Sequence, residues 1–300
     1  MMFYENWMTT IKDDAKINKI AIPAAHNACT KGMVFMGRCQ NGTVLQQYRY
    51  GVREFGVRLS ARRNKLYISH GITTGMTADE AFRTFGEIVD NYDDFFILDI
   101  RTYPGQKVGP FSLSYDCNPD DVNELIDKYL NPGKYALTDC DSVKDLTIGD
   151  IRKSGKKYII LNANKEYKYS SDVELLEPWD PVVFGLKPEK FAKEAVNYLR
   201  ELNTEGFFWY QTQQTPNPGT ENGMKWPNKL DIEDRLYFPQ MMNEIASDPA
   251  LVEKLNIVAG DFMTADHMKS NIILYFNILK DIVKPECKDY YLKSIGKAAV

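Results

Sequence analysis

Three histidines occur in the 300 residues, at 26, 70 and 267, and two of them close short apolar runs. His26 ends "INKIAIPAAH" and is followed by Asn27; His70 ends "LYISH" and is followed by Gly71. Arg58 lies in "FGVRL", and Asp261 follows "NIVAG". Gathered in one place, two imidazoles, a guanidinium and a carboxylate can cleave a phosphodiester. A neutral imidazole takes the proton of an attacking hydroxyl, and a protonated one supplies a proton to the leaving oxygen. A guanidinium offers planar donors to the phosphoryl oxygens. A carboxylate bonded to the first imidazole fixes its tautomer and raises its basicity. Taken singly, each residue has a plainer reading: a hydrogen-bonded structural histidine, a surface arginine, an aspartate that caps a helix.

The elements that would position these residues alternate along the chain. Strand candidates are 18–22, 54–59, 66–69, 95–100, 157–162, 181–185, 207–212 and 256–260, each a short β-type run. Helix candidates are 77–91, 119–130, 187–203, 232–246 and 265–281. In the first, Ala78, Phe82, Phe85 and Val89 recur at helical spacing and predict one buried face. In the third, Phe191, Ala195, Tyr198 and Leu199 do the same. Strands interleaved with helices predict an α/β fold with a mainly parallel sheet, closed as a single, distorted TIM-type (β/α) barrel over residues 1–300. In such a barrel the carboxyl ends of the strands meet on one face, so His26, Arg58, His70 and Asp261 would converge there. The Pro-, Gly- and Asn-rich stretch 213–230 reads as a long loop on the rim.

Composition limits the partners. Apolar residues make up 44% and aromatic residues 12%, enough for a core. A net charge of −4 argues against nucleic acid as a partner. No apolar run approaches the ~20 residues that span a bilayer. "MMFYENWMTT" lacks the pattern of a signal peptide. The expected location is therefore cytoplasmic, or extracellular if a secretion signal has been removed. The five cysteines form no CxxC pair and no zinc-type spacing with histidine. Mostly reduced thiols are expected, with one or two disulfides as the alternative.

The same stretches resemble the catalytic X region of phosphatidylinositol-specific phospholipases C. "ENWM" and "IPAAHN" are similar to the family's opening motifs, "LQQYRYGVREFGVRL" to its second-strand segment and "LYISHG" to its second histidine motif. "EAFRTFGEIVDNYDDFFILDIRTY" is similar to its helix and following strand, and "NIVAGDFM" to the last strand of the bacterial members. The resemblance implies a phosphodiesterase that releases diacylglycerol and inositol 1,2-cyclic phosphate. His26 would be the general base, His70 the general acid, Arg58 the phosphate clamp and Asp261 the support of His26. Arg101 and Tyr103 would face the headgroup. The implied partner is a phosphoinositide or GPI-like lipid, met by a monomer in peripheral contact with a membrane surface.

Calcium-dependent relatives place carboxylates where this chain has Gly56 and Arg58, so the resemblance is to the metal-independent bacterial type, with no metal and no cofactor expected. The chain also departs from that type. Asn27 and Gly56 stand where bacterial members carry aspartates, and "IILNANKEY" offers no clear counterpart to a further basic residue. Asp99 is a candidate replacement acid. The departures leave two alternatives open: a phosphodiesterase acting on a different headgroup, or a weakly active or inactive homologue that binds lipid or inositol.

Overall fold

A computed structural model describes residues 2–296 apart from 63–64, 106, 109–110, 113, 162–166, 181, 216, 218 and 224. Its strands are β1 (Ile22–Ala25), β2 (Glu54–Arg62), β3 (Lys65–His70), β4 (Thr73–Thr77), β5 (Phe96–Thr102), β6 (Lys107–Val108), β7 (Phe111–Ser112), β8 (Tyr158–Leu161), β9 (Ser170–Ser171), β10 (Leu175–Leu176), β11 (Phe207–Gln211) and β12 (Ile257–Gly260). Leaving aside the β3–β4 and β6–β7 hairpins, eight strands follow one another around a curled sheet in chain order. They pair in parallel from β1 through β2, β5 and β8 to β9, and from β1 back through β12 and β11 to β10. Among the described residues no pairing joins β9 to β10, so the barrel is open there. This is the expected (β/α) barrel, in its distorted form.

The strands read with a period of two. On β5, Phe96, Leu98 and Ile100 join the core that faces the helices, while Ile97 belongs to the core inside the sheet. On β11, Phe208 and Tyr210 face outward and Phe207 and Trp209 inward. Alternation of this kind is what a curled sheet with helices on one face requires. The amino-terminal segment plugs the lower barrel with Trp7, Ile11, Ile17 and Ile20. That leaves the carboxyl end of the strands for polar side chains.

The helices are α1 (Val44–Arg49), α2 (Ala78–Asn91), α3 (Pro119–Leu130), α4 (Pro132–Tyr135), α5 (Ile148–Ser154), α6 (Pro188–Glu201), α7 (Pro227–Ala246), α8 (Pro249–Lys254), α9 (Met268–Leu279) and α10 (Lys288–Ile295). Thr77 starts α2 with a reciprocal capping box to Glu80. The buried face of α2 sets Phe85 against Phe55 of β2 and Phe96 of β5.

Several sequence expectations are corrected. Residues 18–22 are not a strand: a 3₁₀ turn spans Ile17–Lys19, and the strand begins at Ile22. Asn256 Nδ2 donates to the carbonyls of Ile17 and Ile20, which removes the acceptors that a strand would offer a neighbour. The stretch 181–185 is no strand either. The Asp180 side chain accepts from the Val182 and Val183 N–H groups and starts a 3₁₀ turn over Val183–Gly185; Pro181 lies outside the described residues. The run 66–69 belongs to β3, which pairs antiparallel with β2 and is not one of the barrel's parallel strands. α7 begins five residues early, inside the expected loop, because Trp226-Pro227 supplies proline at the first helical position. Asn162 and residues 216, 218 and 224 of the expected strand and loop lie outside the described residues.

Phe85 is fully buried between α2 and the two strands that carry Arg58 and Asp99. Phe85→Ala should cost about 3–5 kcal/mol of stability. A denaturant midpoint close to that of the parent chain would show that this packing does not hold the sheet.

Candidate active site

His26 immediately follows β1, and Asp261 immediately follows β12. Parallel pairing of these strands sets Ala25 opposite Gly260 and so brings the two side chains together. His26 Nδ1 donates to Asp261 Oδ1 at 2.8 Å, which leaves Nε2 as the acceptor once the ring is neutral. Asn27 Nδ2 lies 2.9 Å from that nitrogen. Asn27 has φ +47, a left-handed conformation that asparagine tolerates better than most residues. Gln40 pins the two strand ends by donating to the carbonyls of His26 and Gly260, both at 2.9 Å. Behind the aspartate, buried Lys269 donates to the Asp261 carbonyl at 2.9 Å and to Asp231 Oδ1 at 2.5 Å.

Burial alone would push the His26 imidazole down. The Asp261 charge and hydrogen bond, with a lesser contribution from the Cys39 sulfur, outweigh it and raise His26 from its ordinary 6.5 to about 9. His70 is shifted the other way. It sits at the β3–β4 turn, where Nδ1 lies 3.0 Å from the Gly37 carbonyl and no carboxylate bonds it; burial pushes its imidazole down. The two rings are perpendicular, with centroids 6.0 Å apart. In the free site the proton therefore rests on His26, and His70 is neutral.

Arg58 is 7% exposed. Its Nη1 donates to Asp99 Oδ2 at 3.0 Å, and among the described residues its Nη2 meets no protein acceptor. Asp99 also accepts from Arg101 Nε at 3.0 Å, and Arg101 pairs in turn with Glu177. Asp99 is thus tied to two guanidinium groups and stands as their anchor. Arg101 joins the interior network through Asp99 and Glu177. Tyr103 is half-buried, and burial pushes its phenol up. Below these groups, both carboxyl oxygens of Glu54 are buried without a partner, and burial drives that group well above the usual carboxylate range.

Trp209 is not among the site residues expected from the sequence, where 207–212 is only a strand candidate. It is fully buried, yet it borders the site. Its ring lies 6.3 Å from His26, 5.4 Å from the Arg58 guanidinium and 5.6 Å from that of Arg101. A Cβ at Gly56 would stand 3.3 Å from this indole and 3.4 Å from the Ala25 carbonyl. The missing side chain at 56 and the tryptophan at 209 therefore form one packing unit. Cys39 was also missed: its sulfur lies 3.6 Å from His70 Nδ1 and 3.6 Å from Asn27 Nδ2. Cys29, Cys39, Cys140 and Cys287 carry free thiols. The residues 162–166 within "IILNANKEY" lie outside the described residues.

The His26–Asp261 pair makes a direct prediction. In Asp261→Asn the burial of His26 loses the carboxylate that most offsets it. By NMR titration the ring should move down from about 9. An unchanged titration would disprove the pairing.

No protein-family model and no curated protein matches the chain. Solved structures do match in fold. The phosphatidylinositol-specific phospholipase C of Listeria monocytogenes superposes with a TM-score of 0.62 at 15% identity, over 91% of this chain and 98% of that one. A fluorophenylalanine-containing variant of the Staphylococcus aureus enzyme superposes with a TM-score of 0.60 at 15% identity, over 88% and 92%. At that identity the likeness is one of architecture: this chain has the distorted (β/α) barrel seen in bacterial phosphatidylinositol-specific phospholipases C.

Proposed function

We propose that the chain is a phosphodiesterase of the phosphatidylinositol-specific phospholipase C type, working without a metal. The observation that carries this reading is the His26–Asp261 hydrogen bond at 2.8 Å, with His70 across a 6.0 Å ring separation at the mouth of the barrel. That gap suits a phosphoryl group, and Arg58 on the neighbouring strand has donors to spare for it. His26 takes the proton of the inositol 2-hydroxyl, whose oxygen bonds to phosphorus. The bond from phosphorus to the diacylglycerol oxygen breaks, and His70 gives that oxygen a proton. Attack is intramolecular, so little entropy is lost in bringing the reactants together. Water then opens the cyclic phosphate.

This chemistry needs His26 neutral and His70 protonated, the reverse of their order in the free site. A bound phosphodiester anion helps by raising His70 towards its charged form. Both needs are met only while the pair carries a single proton, so the rate should hold a plateau that falls on the alkaline side near about 9, where His26 loses that proton, and on the acid side where His70 gains one.

A lipid substrate fits the rim. Phe35 and Met36 follow the His26 turn, Ile72 lies beside His70, and Trp179 and Val182 follow β10; all are exposed. Phe35 packs edge-on against Trp226, which lies in the expected rim loop. No helix among the described residues is long and apolar enough to cross a membrane, so contact with the lipid surface would be peripheral.

The second reading, a phosphodiesterase for another headgroup, is favoured by one observation. Trp209 packs against Gly56, Arg58 and Arg101, where bacterial relatives would place a carboxylate at position 56.

The test is release of inositol cyclic phosphate from phosphatidylinositol vesicles with chelator present. His26→Ala and His70→Ala should each lower the rate by roughly 10²–10⁴-fold. Full activity in both variants would rule out the two-histidine mechanism. Turnover confined to other glycerophosphodiesters would favour the second reading, and turnover restored only by calcium would refute metal independence.

A further inference from the structure

Cys39 takes no part in the proposed reaction, yet it lies between the groups that do. It is 1% exposed. Two backbone bonds hold it: Cys39 N–H donates to Thr30 Oγ1 at 3.0 Å, and its carbonyl accepts from Phe262 N–H at 2.8 Å. The sulfur is thereby fixed between the loop after β1 and the loop after β12. One donor atom from each of His26, Cys39 and Asp261 falls within 4.8 Å of the others. His70 Nδ1 lies 3.6 Å from the sulfur but turns its hydrogen to the Gly37 carbonyl, so it stays outside the set. Asn27 touches both His26 and Cys39 through its amide nitrogen, while its Oδ1 is buried without a partner.

Thiolate, imidazole and carboxylate together are a ligand set for a borderline-soft cation. Calcium and magnesium prefer six or more oxygens, so the set selects against them. Tetrahedral zinc, with bonds of about 2.0–2.3 Å, spaces its donors by about 3.3–3.8 Å. The present cluster reaches that spacing with shifts of about 1 Å. The partly exposed edge of the His26 side chain, 18% accessible, offers a way in.

We infer that His26, Cys39 and Asp261 form an inhibitory site for a zinc-class divalent cation. On binding, the Cys39 S–H proton and the extra proton on His26 both leave to solvent, and the thiolate and the freed imidazole nitrogen take up the metal. The metal also occupies the imidazole lone pair with which His26 would accept a proton, so turnover stops while it is bound. The inhibition rests on the proposed phosphodiesterase reading; the binding does not.

The experiment uses the full chain, stripped with chelator and titrated with Co²⁺. One equivalent should produce a thiolate-to-cobalt charge-transfer band and tetrahedral visible bands, and one equivalent of Zn²⁺ should displace it. Cys39→Ala should weaken binding by at least about 100-fold. Cys39→Ser, closer in size, repeats the measurement if the alanine variant does not fold. In parallel, Zn²⁺ should silence vesicle turnover by the parent chain and chelator should restore it. The Cys39 variants, each compared with its own metal-free rate, should resist about 100-fold more Zn²⁺. A missing cobalt band, a band that persists in the Cys39 variants, or stimulation by Zn²⁺ would overturn the inference. A Cys39-dependent band in a protein with no turnover on any phosphoinositide would leave the metal site standing and remove only the phosphodiesterase reading.

Discussion

The parallel seam between β1 and β12 is the constraint on which the site depends. Its register sets Ala25 beside Gly260, and the next residue on each strand is then His26 or Asp261. A slip of one residue would turn one of the two side chains away, because successive side chains on a strand point to opposite faces. The seam is held at both ends by side-chain amides. Gln40 bonds the carbonyls of His26 and Gly260, and Asn256 bonds those of Ile17 and Ile20. Lys269 and Asp231 add a buried ion pair behind the Asp261 carbonyl.

Charge inside the barrel is arranged in pairs for a related reason. A guanidinium as buried as Arg58 is costly unless a carboxylate and hydrogen bonds meet it. Asp99 meets both Arg58 and Arg101, and Glu177 completes the chain. The indole of Trp209 lies against both guanidinium groups and uses the space that Gly56 leaves open. The same economy separates the two histidines. His26 has a carboxylate and holds its proton, whereas His70 has only a carbonyl and a thiol and gives its proton up. Two identical side chains, 6.0 Å apart, are thus distinguished by their immediate partners.

The architecture was largely legible in the chain. The helix over 119–130 has the expected bounds, and that over 77–91 differs only in that Thr77 is its cap, because apolar spacing and capping residues are local signals. The short strands β9 and β10, two residues each, carry no such signal and were missed. The segments 18–22 and 181–185 have strand-like composition, but side chains distant or adjacent in sequence capture their backbone groups and turn them.

By itself the sequence determined which residues could do chemistry and that strand ends would carry them, because residue type and period-two patterning are properties of short stretches. Tertiary structure alone decided their company. It placed Asp261 on His26 across 235 residues, divided Asp99 between two arginines, and set Cys39 against His70. Those neighbours come from strand pairing and loop closure between distant segments, and the charge state of each group follows from them. His26 could be read as a reactive histidine from "IPAAHN"; that it is the one that keeps the proton could be read only from the fold.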